Sequence, residues 1–153
     1  MKRSNYLSDL SGDEKVLMAI VRAAERFKRA ISVLFRRYQL SFPQYNILRV
    51  LDASTDGRSR ITEVSRIMLV PGANITGLAK RLEKSGFIQR KSDLKDERVT
   101  LLEITVRGKE TLAAIEKERD QLLKTLLKGF LPQEKKDLLV VIKRLILNSR
   151  LLV

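Results

Sequence analysis

From Leu17 onward, apolar residues recur at steps of three and four: Leu17, Ile20, Ala24, Phe27, Ile31, Leu34 and Tyr38. That spacing lines one face of an α-helix and predicts a helix over about 13–38. Ser11 stands at the expected N-cap, with Glu14 in the capping-box position three residues on. Ser41-Phe42-Pro43-Gln44 reads as a second helix start, proline sitting in the first turn where its missing N–H costs nothing. Tyr45, Leu48 and Leu51 then face inward, and Ser54 to Ser59, with Asp56-Gly57 inside it, reads as a turn. A short extended piece at Arg60-Ile61 leads to Thr62, the expected N-cap of a helix to about Met68. Leu69-Val70-Pro71-Gly72 breaks the chain, and a third short helix is expected from Ala73 to Lys84. Gly86 supplies the glycine common just past a helix end.

At Phe87 the period changes. Phe87 to Arg90 and Val99 to Ile104 read as two strands joined by a polar loop, Lys91 to Arg98. Two strands directly after helix, turn, helix make a wing. Thr105 is the expected N-cap of a long helix, about Val106 to Lys128, with Leu112, Ile115, Leu122 and Leu126 inward. Pro132 opens a last helix in which Leu138, Leu139, Val140, Val141, Ile142, Leu145, Ile146 and Leu147, continuing to Val153, cover nearly every face. A helix apolar all round must be buried all round, and a terminal helix on a small domain cannot manage that alone. Burial between two copies of the chain resolves the conflict, so a homodimer is expected.

Composition narrows the chemistry. A length of 153 residues predicts about one domain, and 44% hydrophobic with 32% charged residues describes a globular chain. With no Cys and no His, disulfides, thiol switches and Ser-His or Cys-His catalysis are excluded, and a zinc or copper site would rest on carboxylates alone. No cofactor, metal or catalytic group is expected. No apolar run approaches the roughly 20 residues of a membrane span, and residues 1–13 do not look like a signal peptide. A cytoplasmic protein without membrane contact is the expectation.

Thirty-one Lys and Arg against 18 Asp and Glu leave a net charge of +13, which favours a polyanionic partner. The excess is spread evenly along the chain, so charge alone does not locate the surface. Arg22, Arg26, Arg29 and Arg36 form a basic stripe on the first helix, either a solvated face or a dock for DNA phosphates or acidic ligands.

The middle of the chain resembles the multiple antibiotic resistance regulator (MarR) family. The resemblance is carried by Ile61 to Ser65, by Val70 to Arg90, and by Asp93-Leu94-Lys95-Asp96-Glu97-Arg98 followed by Leu102-Glu103-Ile104-Thr105 and Gly108. This last stretch matches the family's wing signature, Asp-x-x-Asp-x-Arg followed by a strand, Thr and Gly. The implied fold is mainly α. A winged helix-turn-helix lobe at 42–105 carries a short three-stranded wing sheet, and dimerisation helices at 11–40 and 106–153 interlock two copies. Leu17, Ile20, Leu138, Val141, Ile142, Leu145 and Ile146 would then meet the partner. The resemblance further implies a transcriptional regulator, most often a repressor, binding pseudo-palindromic double-stranded DNA and released by a small phenolic or anionic effector. The cysteine of the family's peroxide-sensing branch is missing here.

Residue by residue, the 73–84 helix would lie in the major groove with its N-terminal end toward base edges. Asn74 and Thr76 sit in its first turn; Asn74 is either a base reader or a plain N-cap. Gly77, unfavourable inside a helix by about 1 kcal/mol against Ala, fits close approach to the DNA backbone or looser packing without function. Lys80 and Arg81 would touch phosphates or bases. Arg98 matches the wing arginine that enters the minor groove, with Asp96 as its brace; a surface ion pair that only stiffens the wing is the plainer alternative. Arg90, Lys91 and Lys95 would contact phosphates, and Thr62 would offer its helix start to one. Arg22, Tyr38, Phe42 and Tyr45 are the candidates for lining an effector cleft, with ordinary core packing as the competing reading of the two tyrosines. The alternative function is a nonspecific, basic architectural protein on nucleic acid.

Overall fold

Ser11 closes its capping box: its hydroxyl accepts the Glu14 N–H at 3.2 Å while the Glu14 carboxylate takes the Ser11 N–H at 2.8 Å. Helix α1 (Gly12–Arg37) follows from it. Ser41 and Gln44 make the same reciprocal pair at the start of α2 (Phe42–Asp52). The computed structural model describes residues 9–68 and 72–152, so the expected break at 69–71 and the terminal Val153 lie outside the described residues. A single 3₁₀ turn, Thr55–Gly57, leads into β1 (Arg58–Arg60). There follow α3 (Ile61–Met68), α4 (Gly72–Lys84), β2 (Ile88–Ser92), β3 (Thr100–Ile104), α5 (Val106–Leu126) and α6 (Pro132–Ser149). The fold is mainly helical with one small antiparallel sheet, ordered β1-β3-β2.

Three of the boundaries that differ from the sequence reading bear on the site. The first strand is Arg58–Arg60, and Ile61 already belongs to α3. Thr62 is therefore the second helical residue, not the cap: the residue before the helix, Arg60, is still paired to Leu101 in the sheet. Strand β2 runs on to Ser92 because Lys91 and Ser92 pair with Leu101 and Thr100. Helix α4 begins at Gly72, which places Asn74 inside its first turn and removes the N-cap reading of that residue.

The described residues divide into two compact units after Asp120. The first holds the core, where Phe35, Ile47, Leu48 and Leu51 from α1 and α2 are fully buried, as are Val64, Ile75, Leu82, Leu102 and Ile115. Alternation along β3 puts Leu102 and Ile104 inward and Leu101 and Glu103 outward. The second unit is different. Helix α6 has no buried residue; Leu138, Val140, Val141 and Leu147 are 47–62% exposed. The N-terminal half of α1 is likewise bare, with Leu17 at 48%.

Thr105 caps α5 as expected, its hydroxyl accepting the Gly108 N–H at 3.1 Å and facing the Gly86 carbonyl at 2.7 Å. This joint leaves no room at Gly108. A Cβ there would meet the Phe87 carbonyl at 2.5 Å and Ile104 Cγ1 at 2.6 Å. Gly108→Ala should lower stability by about 1–3 kcal/mol, the usual cost of overpacking, read as a lower denaturant midpoint at unchanged slope. An unchanged midpoint would show that the turn between β3 and α5 yields easily.

Candidate nucleic-acid interface

Helix α4 shows how the surface is built. Ile75, Ala79 and Leu82, spaced four and three apart, are fully buried and fix the helix on α2 and α3. At 100° per residue the opposite side is centred on Gly77 and Lys84, flanked by Asn74, Lys80 and Arg81. Asn74, Lys80, Arg81 and Lys84 are exposed, Thr76, Gly77 and Leu78 half-buried. The Thr76 hydroxyl donates back to the Gly72 carbonyl at 3.1 Å, which occupies its proton but leaves its oxygen lone pairs. A Cβ built on Gly77 would touch nothing within 4 Å, so the chain's own packing does not require glycine there.

The wing is tied to this helix by an ion pair. The Glu83 carboxylate accepts the Arg90 backbone N–H at 3.0 Å and its Nε at 2.6 Å. These two bonds hold the Glu83 carboxyl below the usual carboxylate range, side-chain bond first. Arg90, expected on phosphates, thus spends its guanidinium on α4, and Lys91 pairs across the sheet with Glu103 at 2.8 Å. Neither is lost to DNA by this, but both act first on the geometry of the wing.

The loop between β2 and β3 is closed by local bonds. Asp93 N–H donates to the Val99 carbonyl and Val99 N–H to the Asp96 carbonyl, each at 2.9 Å. The Asp93 carboxylate accepts the Lys95 N–H at 2.9 Å and the Arg60 guanidinium at 3.1 Å, and these bonds keep its pKa low. Asp96 meets Arg98 through the backbone: its carboxylate accepts the Arg98 N–H at 3.0 Å. The bracing expected of Asp96 therefore shapes the turn, while the Lys95 and Arg98 side chains enter no ion pair among the described residues. Thr62 is exposed at the start of α3.

The four residues expected around an effector do not share one cleft. Phe42 packs edge-on to Phe27 (centroids 6.1 Å) and near Phe35, on which Tyr45 stacks at 3.9 Å. Phe42 also borders a hollow of about 430 Å³ with Arg36 and Gln39. Tyr38 lies elsewhere, its hydroxyl donating to Glu118 at 2.8 Å; that bond raises the phenol's pKa and lowers the carboxyl's, and Arg37 also pairs with Glu118. Arg22 is exposed on α1 and lines neither group. The sequence reading missed Arg119. Its side chain is only 16% exposed and donates to the Tyr45 hydroxyl at 3.0 Å and to Asp120 at 2.7 Å. Those bonds push its pKa further above the ordinary arginine value. Tyr45 is 6% exposed, so ordinary packing accounts for its ring.

A buried helix row, an outward basic face and a pinned two-stranded wing define a winged-helix regulator. The chain belongs to the SarA/Rot family of transcriptional regulators, whose family model matches residues 29–115. The family is one of regulators rather than enzymes. TtmR, an HTH-type transcriptional regulator of Methylorubrum extorquens, is 34% identical over 97 residues, 63% of this chain; the chain spans about half of it, 49%. Two solved MarR family regulators from Streptomyces coelicolor share the fold. Sco3205, solved in complex with DNA, superposes with a TM-score of 0.84 at 21% identity over 90% of this chain and 88% of its own. AbsC gives 0.85 at 16% identity over 92% and 97%. The resemblance to MarR regulators, first carried by the stretch from Ile61 to Gly108, thus extends to the fold.

Proposed function

We propose that the chain is a homodimeric, sequence-specific DNA-binding repressor of the bacterial cytoplasm that recognises pseudo-palindromic operators. The observation that carries the reading is the outward face of α4, where Asn74, Lys80, Arg81 and Lys84 surround a glycine that internal packing does not demand. Asn74 and Thr76 read bases in the major groove, with Asn able to bond adenine bidentately. Lys80 and Arg81 take phosphates or bases. Lys95 and Arg98 carry the wing to the minor groove, while Thr62 offers its amide or hydroxyl to a phosphate. Arg90 and Lys91 hold the wing at its angle and add positive potential.

The bare apolar faces at Leu17, Leu138, Val141 and Ile146, with half-buried Ile20, Ile142 and Leu145 beside them, support pairing of two chains. Two lobes on a two-fold axis read half-sites one helical turn apart, about 10 base pairs. A small phenolic or anionic effector would release DNA by altering that spacing. The hollow that Phe42 borders with Arg36 and Gln39 is its best-supported seat, and Arg22, Tyr38 and the buried Tyr45 ring lie outside it.

Selection from a random duplex pool tests the reading. The expected product is an inverted repeat bound about a thousandfold more tightly than scrambled DNA. Lys80→Ala and Arg98→Ala should each weaken operator binding by about tenfold or more. Equal binding of both duplexes, with only a steep salt dependence, would identify a nonspecific architectural protein instead.

A further inference from the structure

Leu94 is 102% exposed, more than any other large apolar side chain described. A single bare leucine on a protein surface is ordinary; a bare leucine on a pinned turn is less so. Asp93, directly before it, has a side chain only 12% exposed and is held by Arg60 and by the Lys95 N–H. Asp96, two residues after it, is held by the Arg98 N–H, and two backbone bonds close the loop behind both. The turn therefore has little freedom to fold Leu94 back. Nearby, Lys95 and Arg98 supply positive charge, and on the outer face of the sheet Leu94 overhangs a hollow of about 670 Å³ that also borders Leu101 and Arg60. The result is an apolar point on a cationic hairpin.

We propose that Leu94 is a wedge which the wing presses between adjacent base pairs from the minor groove of duplex DNA. Apolar side chains so placed unstack a step and kink the duplex toward the major groove. Pyrimidine–purine steps unstack most readily, so the wedge makes the wing a reader of DNA deformability at the operator flanks. Lys95 holds a flanking phosphate and Arg98 lies along the minor groove while Leu94 enters between the base pairs. This inference rests on the DNA-binding reading above and adds to it a residue that specifies sequence without a hydrogen bond.

The test uses the full chain and its selected operator, with 2-aminopurine at the flanking step and a fluorophore pair at the duplex ends. Wild-type protein should brighten the 2-aminopurine, bring the ends closer and prefer TA or CA at that step. Leu94→Ala should lose all three and about tenfold in affinity, with the salt slope unchanged because no phosphate contact is removed. Leu94→Met, which keeps an apolar wedge, should retain them. Leu94→Ala behaving as wild type in bending, unstacking and step preference would overturn the wedge while leaving operator recognition intact. A wild-type protein that binds operator and scrambled duplex alike would overturn the DNA reading, and the wedge with it.

Discussion

Leu138→Asp combined with Val141→Asp should convert the protein to a monomer and reduce operator affinity by about a thousandfold or more. Both positions lie on one face of α6, three residues apart, and both are about half exposed in the single chain, at 47% and 56%. A carboxylate there meets water while the chain is alone, so the fold of the protomer has nothing to lose. In an interface the same carboxylate is stripped of water without a partner, at several kcal/mol each. Two-fold symmetry doubles the number of such groups. The affinity follows because a dimer engages its second half-site as an intramolecular event, an advantage of 10²–10⁴ that a monomer forfeits. Light scattering and a duplex titration check both halves. A scattering mass unchanged from wild type would mean that these apolar faces serve something other than self-association.

The local devices of this fold were readable from the chain, and the reason is distance. Ser11–Glu14, Ser41–Gln44 and Thr105–Gly108 are contacts across three residues, and the chemistry of each is complete within a single turn. The buried row of α2, Tyr45, Leu48 and Leu51, was readable too, because burial enforces a period; along α1 only Ile31 and Leu34 of the apolar stripe are buried. Strand ends were not readable. Lys91 and Ser92 are polar and give no alternation, yet they extend β2 because Leu101 and Thr100 stand opposite them. The contacts that reassign roles span elements. Glu83 takes Arg90 from across a turn, and Arg119 reaches Tyr45 over 74 residues, a pairing that no spacing rule encodes. Asp96 shows a finer limit. Its sequence position beside Arg98 was informative, but whether the carboxylate would meet the guanidinium or the backbone N–H depends on a turn that only the folded loop specifies.

Gly77→Ala is expected to move stability and DNA affinity in opposite directions. Alanine in a helix interior is favoured over glycine by about 1 kcal/mol. Because a Cβ at this position would meet nothing within 4 Å, no clash offsets that gain. The melting temperature should therefore rise by about 3 °C. Operator affinity should fall, by about tenfold for alanine and further for Gly77→Leu, because the added carbons stand at the centre of the face that Lys80, Arg81 and Lys84 frame. A duplex held close by those cations has no gap to give up without lengthening their charge-assisted bonds. Thermal melts and titrations on the same preparations separate the two effects. If alanine raises the melting temperature and leaves the affinity where it was, the glycine is an accident of packing, and the DNA backbone passes α4 at a greater distance than its outward face implies. If both fall, the helix itself is strained at this point and the exposed face has been drawn in the wrong place.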